Sequence, residues 1–130
     1  MTELDAIYNT KILELAASIP RTARLARPDA TATTHSKLCG STVSVDLVVD
    51  GDVIVEFGQT VKACLLGQAA ASVVGREIIG STGEEIRAVG ETMRAMLKEN
   101  GPPPTGKWAD LAVLEPVRDY KARHTSTLLV

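Results

Sequence analysis

The chain has 130 residues, 45% hydrophobic and 23% charged, with 14 basic against 16 acidic side chains and a formal net charge of -2. This is the length of one domain and the composition of a globular chain, which excludes a disordered or collagen-like polymer. The balanced charge and only 3% aromatic residues leave neither the basic footprint nor the stacking platforms that nucleic-acid binding needs.

Glu3 and Asp5 stand where a signal peptide carries positive charge, and no apolar run approaches the ~20 residues that span a bilayer. A soluble, cytoplasmic protein without a membrane partner is expected. Thr2 offers a helix cap, and Leu4, Ile7, Tyr8, Ile12 and Leu15 recur at helical spacing until Pro20, which predicts an amphipathic helix over residues 3 to about 18. Residues 21 to 37, rich in Thr, Ala, Arg and Pro without a sustained period, read as an irregular surface connection.

Thr42 to Val49 alternates, with Val43, Val45, Leu47 and Val49 on one face, as a half-buried strand does. Asp50-Gly51-Asp52 supplies a turn, Val53 to Phe57 completes a hairpin, and Gln59 to Ala63 adds a third antiparallel strand. Asp46, Asp50, Asp52 and Glu56 read as a solvated sheet face and turn, since the spacing of a calcium-binding loop is absent. The small-residue run after Cys64 predicts a buried helix ending near Gly80. Ser81-Thr82 with Glu85 forms a capping box, and Ile86, Val89, Met93, Met96 and Leu97 make a helical stripe with both methionines in the core. Asn100 to Pro104 stops that helix. Trp108 to Leu114 is a short helical segment, residues 114 to 120 return to the core, and Leu128 to Val130 look like the first turn of an unfinished helix, so the natural chain is expected to continue. The fold class is α+β, a small antiparallel sheet of about three strands with helices packed on one face, in a single domain over residues 1–130.

Two cysteines are too few for a disulfide framework and read as reduced thiols. Cys39 sits in Leu38-Cys39-Gly40-Ser41, where glycine opens the backbone to a ligand, and Cys64 lies where a strand passes into a helix, whose free amides favour thiolate. From spacing alone, two unrelated half-buried thiols are the alternative. His35 and His124 are the only imidazoles and belong to no nucleophile motif, and Gly75, Gly80, Gly83 and Gly90 form no phosphate loop. An enzyme is not expected.

Leu38-Cys39-Gly40-Ser41 leading into an alternating strand, and Lys62-Ala63-Cys64-Leu65-Leu66-Gly67-Gln68-Ala69 leading into a small-residue helix, resemble the amino-terminal scaffold domain of iron-sulfur cluster assembly proteins, the NifU, IscU and SufU group. Tyr8, Ile12, Leu13, Pro20, Arg21 and Leu25 look like the family's opening helix and proline-arginine turn. Val117 to Arg123 looks like the approach to its third cysteine. The resemblance covers essentially the whole chain, and residues 86 to 114 are more like the SufU branch. It implies a scaffold or carrier that binds iron, a transient Fe-S cluster or zinc through Cys39 and Cys64. A cysteine desulfurase would supply its sulfur, Fe-S acceptor proteins would take its cargo, and a homodimer or a partner could complete the ligand set. The family's aspartate position is Ser41 here and its third cysteine position is Ser126, two neutral hydroxyls in place of anionic donors. His124, two residues before Ser126, is the further ligand candidate, with His35 behind it. Two other readings follow from the same resemblance: a degenerate member acting as an interaction module without a cluster, and a persulfide acceptor using Cys64.

Overall fold

The computed structural model describes residues 10–36, 40–119 and 124–128, apart from the side chains at 118, 119, 125 and 126. Helix α1 spans Thr10–Ala17 and buries Ile12, Leu15 and Ala16, the stripe that its spacing predicts; the expected first turns, with Thr2, lie outside the described residues. Three strands follow, β1 at Ala30–His35, β2 at Thr42–Asp50 and β3 at Val53–Lys62, in the order β1-β2-β3. All neighbours are antiparallel. Helices α2 (Leu65–Glu77) and α3 (Gly83–Lys98), a 3-10 segment (Gly106–Asp119) and the helical turn α4 (His124–Thr127) complete the order.

The α+β class and the three-stranded sheet match the sequence reading, but the strands are divided differently. Val53–Phe57 and Gln59–Ala63, expected as two strands, form the single long β3, and the third strand is β1, inside the stretch expected to be irregular. Every residue of β1 is exposed, so no apolar alternation marks it. Its register is set instead by cross-strand polar pairs, among them the Thr33 and Ser44 hydroxyls 2.9 Å apart.

Ile54 and Phe57 from β3 meet Ile12, Leu66, Val73 and Met96 in one apolar core. The small residues of α2 let it sit at the centre of the helical layer, against α1, β3, the 3-10 segment and α4. Met93 and Met96 are core residues, as expected, and Thr82 caps α3 by accepting a hydrogen bond from the Glu85 amide at 3.1 Å. Asp110, on the 3-10 segment, receives Lys11 of α1 and Arg76 of α2, at 3.6 and 2.9 Å.

The connection from α1 to β1 is a strap with defined contacts. Arg21, at φ 56°, turns the chain around the edge of β3: its Nε donates to the Gly75 carbonyl on α2 at 3.0 Å, and its carbonyl accepts from the Gln59 amide at 2.8 Å. Gln59, fully buried, donates from Nε2 to the carbonyls of Pro20 and Ala71, both at 3.1 Å. The strap then crosses the sheet face opposite the helices, where a Cβ at Gly58 would overlap the Ala23 carbonyl oxygen. Gly58→Ala should therefore cost about 1–3 kcal/mol, because backbone has to move. Urea unfolding measures this, and an unchanged midpoint would show that the strap does not rest on Gly58.

Asp46 corrects a sequence expectation. It is not solvated: it pairs with Gly58 across the ladder and lies beneath the strap, 1% exposed. Its carboxylate accepts from Arg24 Nε at 2.6 Å and Nη2 at 2.8 Å, from the Leu25 amide at 3.0 Å and from the Thr31 hydroxyl at 2.7 Å. These bonds, the Arg24 guanidinium foremost, hold the carboxyl well below the usual aspartate range despite the opposing effect of burial. Asp50, Asp52 and Glu56 are exposed, as expected.

Candidate functional site at one end of the sheet

Strand register brings several candidate residues to the same end of the sheet. His35, Thr42 and Lys62 are aligned across β1, β2 and β3. Chain that continues past this row belongs to the β1–β2 connection on one side and to the entry of α2 on the other. Ser36 and Ser41 close that connection: the Ser36 amide donates to the Ser41 carbonyl at 2.8 Å, and the Gly40 amide donates to the Ser36 carbonyl at 2.9 Å. Gly40 has φ 69°, a left-handed conformation that glycine adopts without strain. Cys39 lies outside the described residues.

Cys64, two residues past Lys62, is the N-cap residue of α2, with extended backbone angles and no side-chain capping bond. Its carbonyl accepts the Gln68 amide at 2.9 Å, and Gln68 Nε2 donates to the Ala63 carbonyl at 2.7 Å, which fixes the strand-to-helix corner. The thiol is half-buried and outside any disulfide. No acidic residue occupies the first turn of α2, so no carboxylate of that turn offsets the positive end of the helix dipole at this N-cap position.

Ser41 is 3% exposed, directly before β2. His35 is exposed. It shares a row with Thr42, next to the core-facing Val43, and alternation therefore aims it at the face away from the helices. His124 is buried in α4, and its Nε2 lies 3.1 Å from the Val117 carbonyl oxygen. A carbonyl only accepts, so Nε2 is the donor of this bond, and a backbone carbonyl can orient a ligating imidazole in this way. The same bond also serves a purely structural histidine. The Ser126 side chain lies outside the described residues. Among the described residues no three His, Cys, Asp or Glu side chains gather closely enough to hold a metal ion.

An apolar recess of about 250 Å³ between α2, α3 and the 3-10 segment is lined by Ala70, Val74, Val89, Met93 and Leu111 among others, and holds none of the candidate ligands. Sequence reasoning missed Arg24, Asp46 and Gln59, which hold the strap. Gly58 was the available signal, since an isolated glycine within a strand marks close approach of other backbone. No helix among the described residues is long and apolar enough to cross a membrane.

No protein-family model matches the sequence, and no curated protein matches it. Solved structures do. The crystal structure of a nitrogen-fixing NifU-like protein (amino-terminal part) from Brucella abortus is 56% identical, with a TM-score of 0.96 over 98% of this chain and 89% of that one. A protein described as an iron-sulfur cluster assembly scaffold for the SUF system, from the thermophile Fervidobacterium islandicum AW-1, is 21% identical, with a TM-score of 0.87 over 96% of this chain and 91% of that one. The second likeness establishes a shared fold.

Proposed function

This chain belongs to the family of NifU-like amino-terminal domains, and from that premise we propose that it is a scaffold or carrier for iron-sulfur cluster assembly. Its cargo is iron or a nascent cluster, bound through Cys39 and Cys64. The observation that carries the reading is the strand register, which starts β2 just after Ser41 and ends β3 just before Ala63-Cys64. The described ends of the β1–β2 connection, Ser36 and Gly40, and the Cys64 corner thereby belong to one end of the sheet.

Thiolate sulfur suits iron and zinc alike. Cys64 supplies one such donor from a rigid helix start, and His124 is the further ligand candidate. Ser41 and Ser126 contribute neutral oxygens only, so the cargo is held less tightly than anionic donors at those positions would hold it, which suits a protein that passes it on. A cysteine desulfurase supplies the sulfur, and acceptor proteins or a second copy complete the ligand set. The chain moves a cofactor rather than transforming a substrate, and it is not an enzyme.

Anaerobic reconstitution with Fe2+ and sulfide, followed by visible absorption and iron analysis, tests this. The wild-type chain should retain stoichiometric iron and Cys64→Ser should lose most of it. A wild-type chain without stoichiometric iron would overturn the scaffold reading. Serine at positions 41 and 126 favours one second reading, an interaction module of the same pathway without a cluster, and that result would support it.

A further inference from the structure

The hydroxyl of Ser36 is buried without a partner at the cysteine-bearing end of the sheet. Ser36 is 1% exposed, its amide and carbonyl are engaged by Ser41 and Gly40, and its Oγ makes no hydrogen bond. A buried hydroxyl without a partner is destabilising and rare in native proteins. Such groups mark places where something else completes the structure.

Strand alternation gives the direction of this one. Thr34 pairs with Val43, a core residue on the helix-covered face. Ser36, two residues on and joined to Ser41, lies on that same face, whereas His35 and Thr42 lie on the other. In β3, Lys62 shares the row of Thr42, so the next residue, Ala63, returns to the face of Ser36 and Ser41, and Cys64 then opens α2. The hydroxyl therefore stands on the face and at the end of the sheet where the Cys64 corner enters the helical layer.

Two further buried polar atoms without partners among the described residues are placed differently. Gln59 Oε1 belongs to an amide already fixed by two bonds through Nε2. Trp108 Nε1 belongs to a ring of the 3-10 segment, beside the apolar recess.

We propose that the Ser36 hydroxyl donates a hydrogen bond to a sulfur atom of the metal-sulfur unit held at this end of the sheet. This rests on the scaffold reading and adds to it a donor from outside the ligand set. Thiolate and sulfide offer lone pairs and no proton, and serine offers the proton that they lack. Hydrogen bonds to sulfur tune metal-sulfur centres. By lowering the energy of the sulfur lone pairs, this one moves sulfur-to-metal charge transfer to shorter wavelength.

The test uses Co2+ alone as the probe, on the full wild-type chain and on Ser36→Ala. Affinity comes from competition with a chromophoric chelator, the charge-transfer band from the absorption spectrum, and apo stability from thermal unfolding. Ser36→Ala should bind Co2+ about 10-fold more weakly, with its band at longer wavelength and its apo Tm unchanged or higher. Ser36→Thr, which keeps the hydroxyl, should restore the wild-type band. A wild-type chain that binds Co2+ with the same affinity and band as Ser36→Ala overturns the inference and leaves the scaffold reading standing. A lower apo Tm in Ser36→Ala also overturns it, by exposing a structural role for the hydroxyl. A wild-type chain that binds no Co2+ removes the scaffold reading, and the inference falls with it.

Discussion

Replacing Asp46 with alanine should lower Tm by roughly 10 °C or more, a larger loss than any exposed ion pair of this protein would give. The pairs at Arg94 with Glu91 and Glu99, for example, join exposed side chains and contribute little. Asp46 is different because four donors converge on a carboxylate that is 1% exposed. Alanine leaves the Leu25 amide and the Thr31 hydroxyl without their acceptor and the Arg24 guanidinium without its counter-ion. The strap then loses its anchor on the sheet, and β1 loses one of the polar contacts that set its register.

The pH dependence has a definite sign. Asp46 is held below its ordinary range in the folded state, so it stabilises the fold fully above about pH 4, the unfolded aspartate range, and this is lost as pH falls toward the lowered folded value. The Tm difference between wild type and Asp46→Asn should be constant from about pH 6 to 8 and shrink below about pH 4. A difference that grows on acidification would show that the carboxylate is not held by these bonds.

Ser41→Asp combined with Ser126→Cys should raise affinity for Zn2+ by about 100-fold or more, because two neutral hydroxyls become anionic donors of the kind that closed metal sites use. Ser41 is buried, so a carboxylate placed there without metal has no water to stabilise it. The apo form of the double variant should therefore melt below wild type, and added Zn2+ should raise its Tm well above the shift seen in wild type. Chelator competition and thermal unfolding with and without Zn2+ measure both effects. An unchanged affinity would mean that positions 39, 41, 64 and 126 do not converge on one metal.

The legible parts of the fold were those in which local chemistry and burial agree. Helix α3 announces itself through the Thr82 cap and the Ile86-to-Leu97 stripe, and its methionines are buried as the stripe requires. The corner at Cys64 was legible too, since a β-branched strand running into small residues changes the hydrophobic period from two to helical. Strand β1 was not legible. Ala30-Thr31-Ala32-Thr33-Thr34-His35 has no apolar face because both its faces are open, and it is a strand only because β2 offers it a ladder. Asp46 misled for the converse reason: an acid at alternate spacing on a strand reads as solvated, and nothing nearby in sequence reveals that Arg24, 22 residues earlier, lies over it.

By itself the sequence determined the α+β class, the helical stripes and the two thiols with their flanking glycine and small-residue helix, because caps, turns and periodicity act over a few residues. Only the tertiary structure decided which segment is the third strand, that the strap covers the sheet face opposite the helices, and that Ser36 and Ser41 are buried at the end of the sheet where Cys64 starts its helix. Those features come from strand register and from backbone crossing over Gly58. Both depend on contacts between residues far apart in the chain, whose free energy no local pattern records.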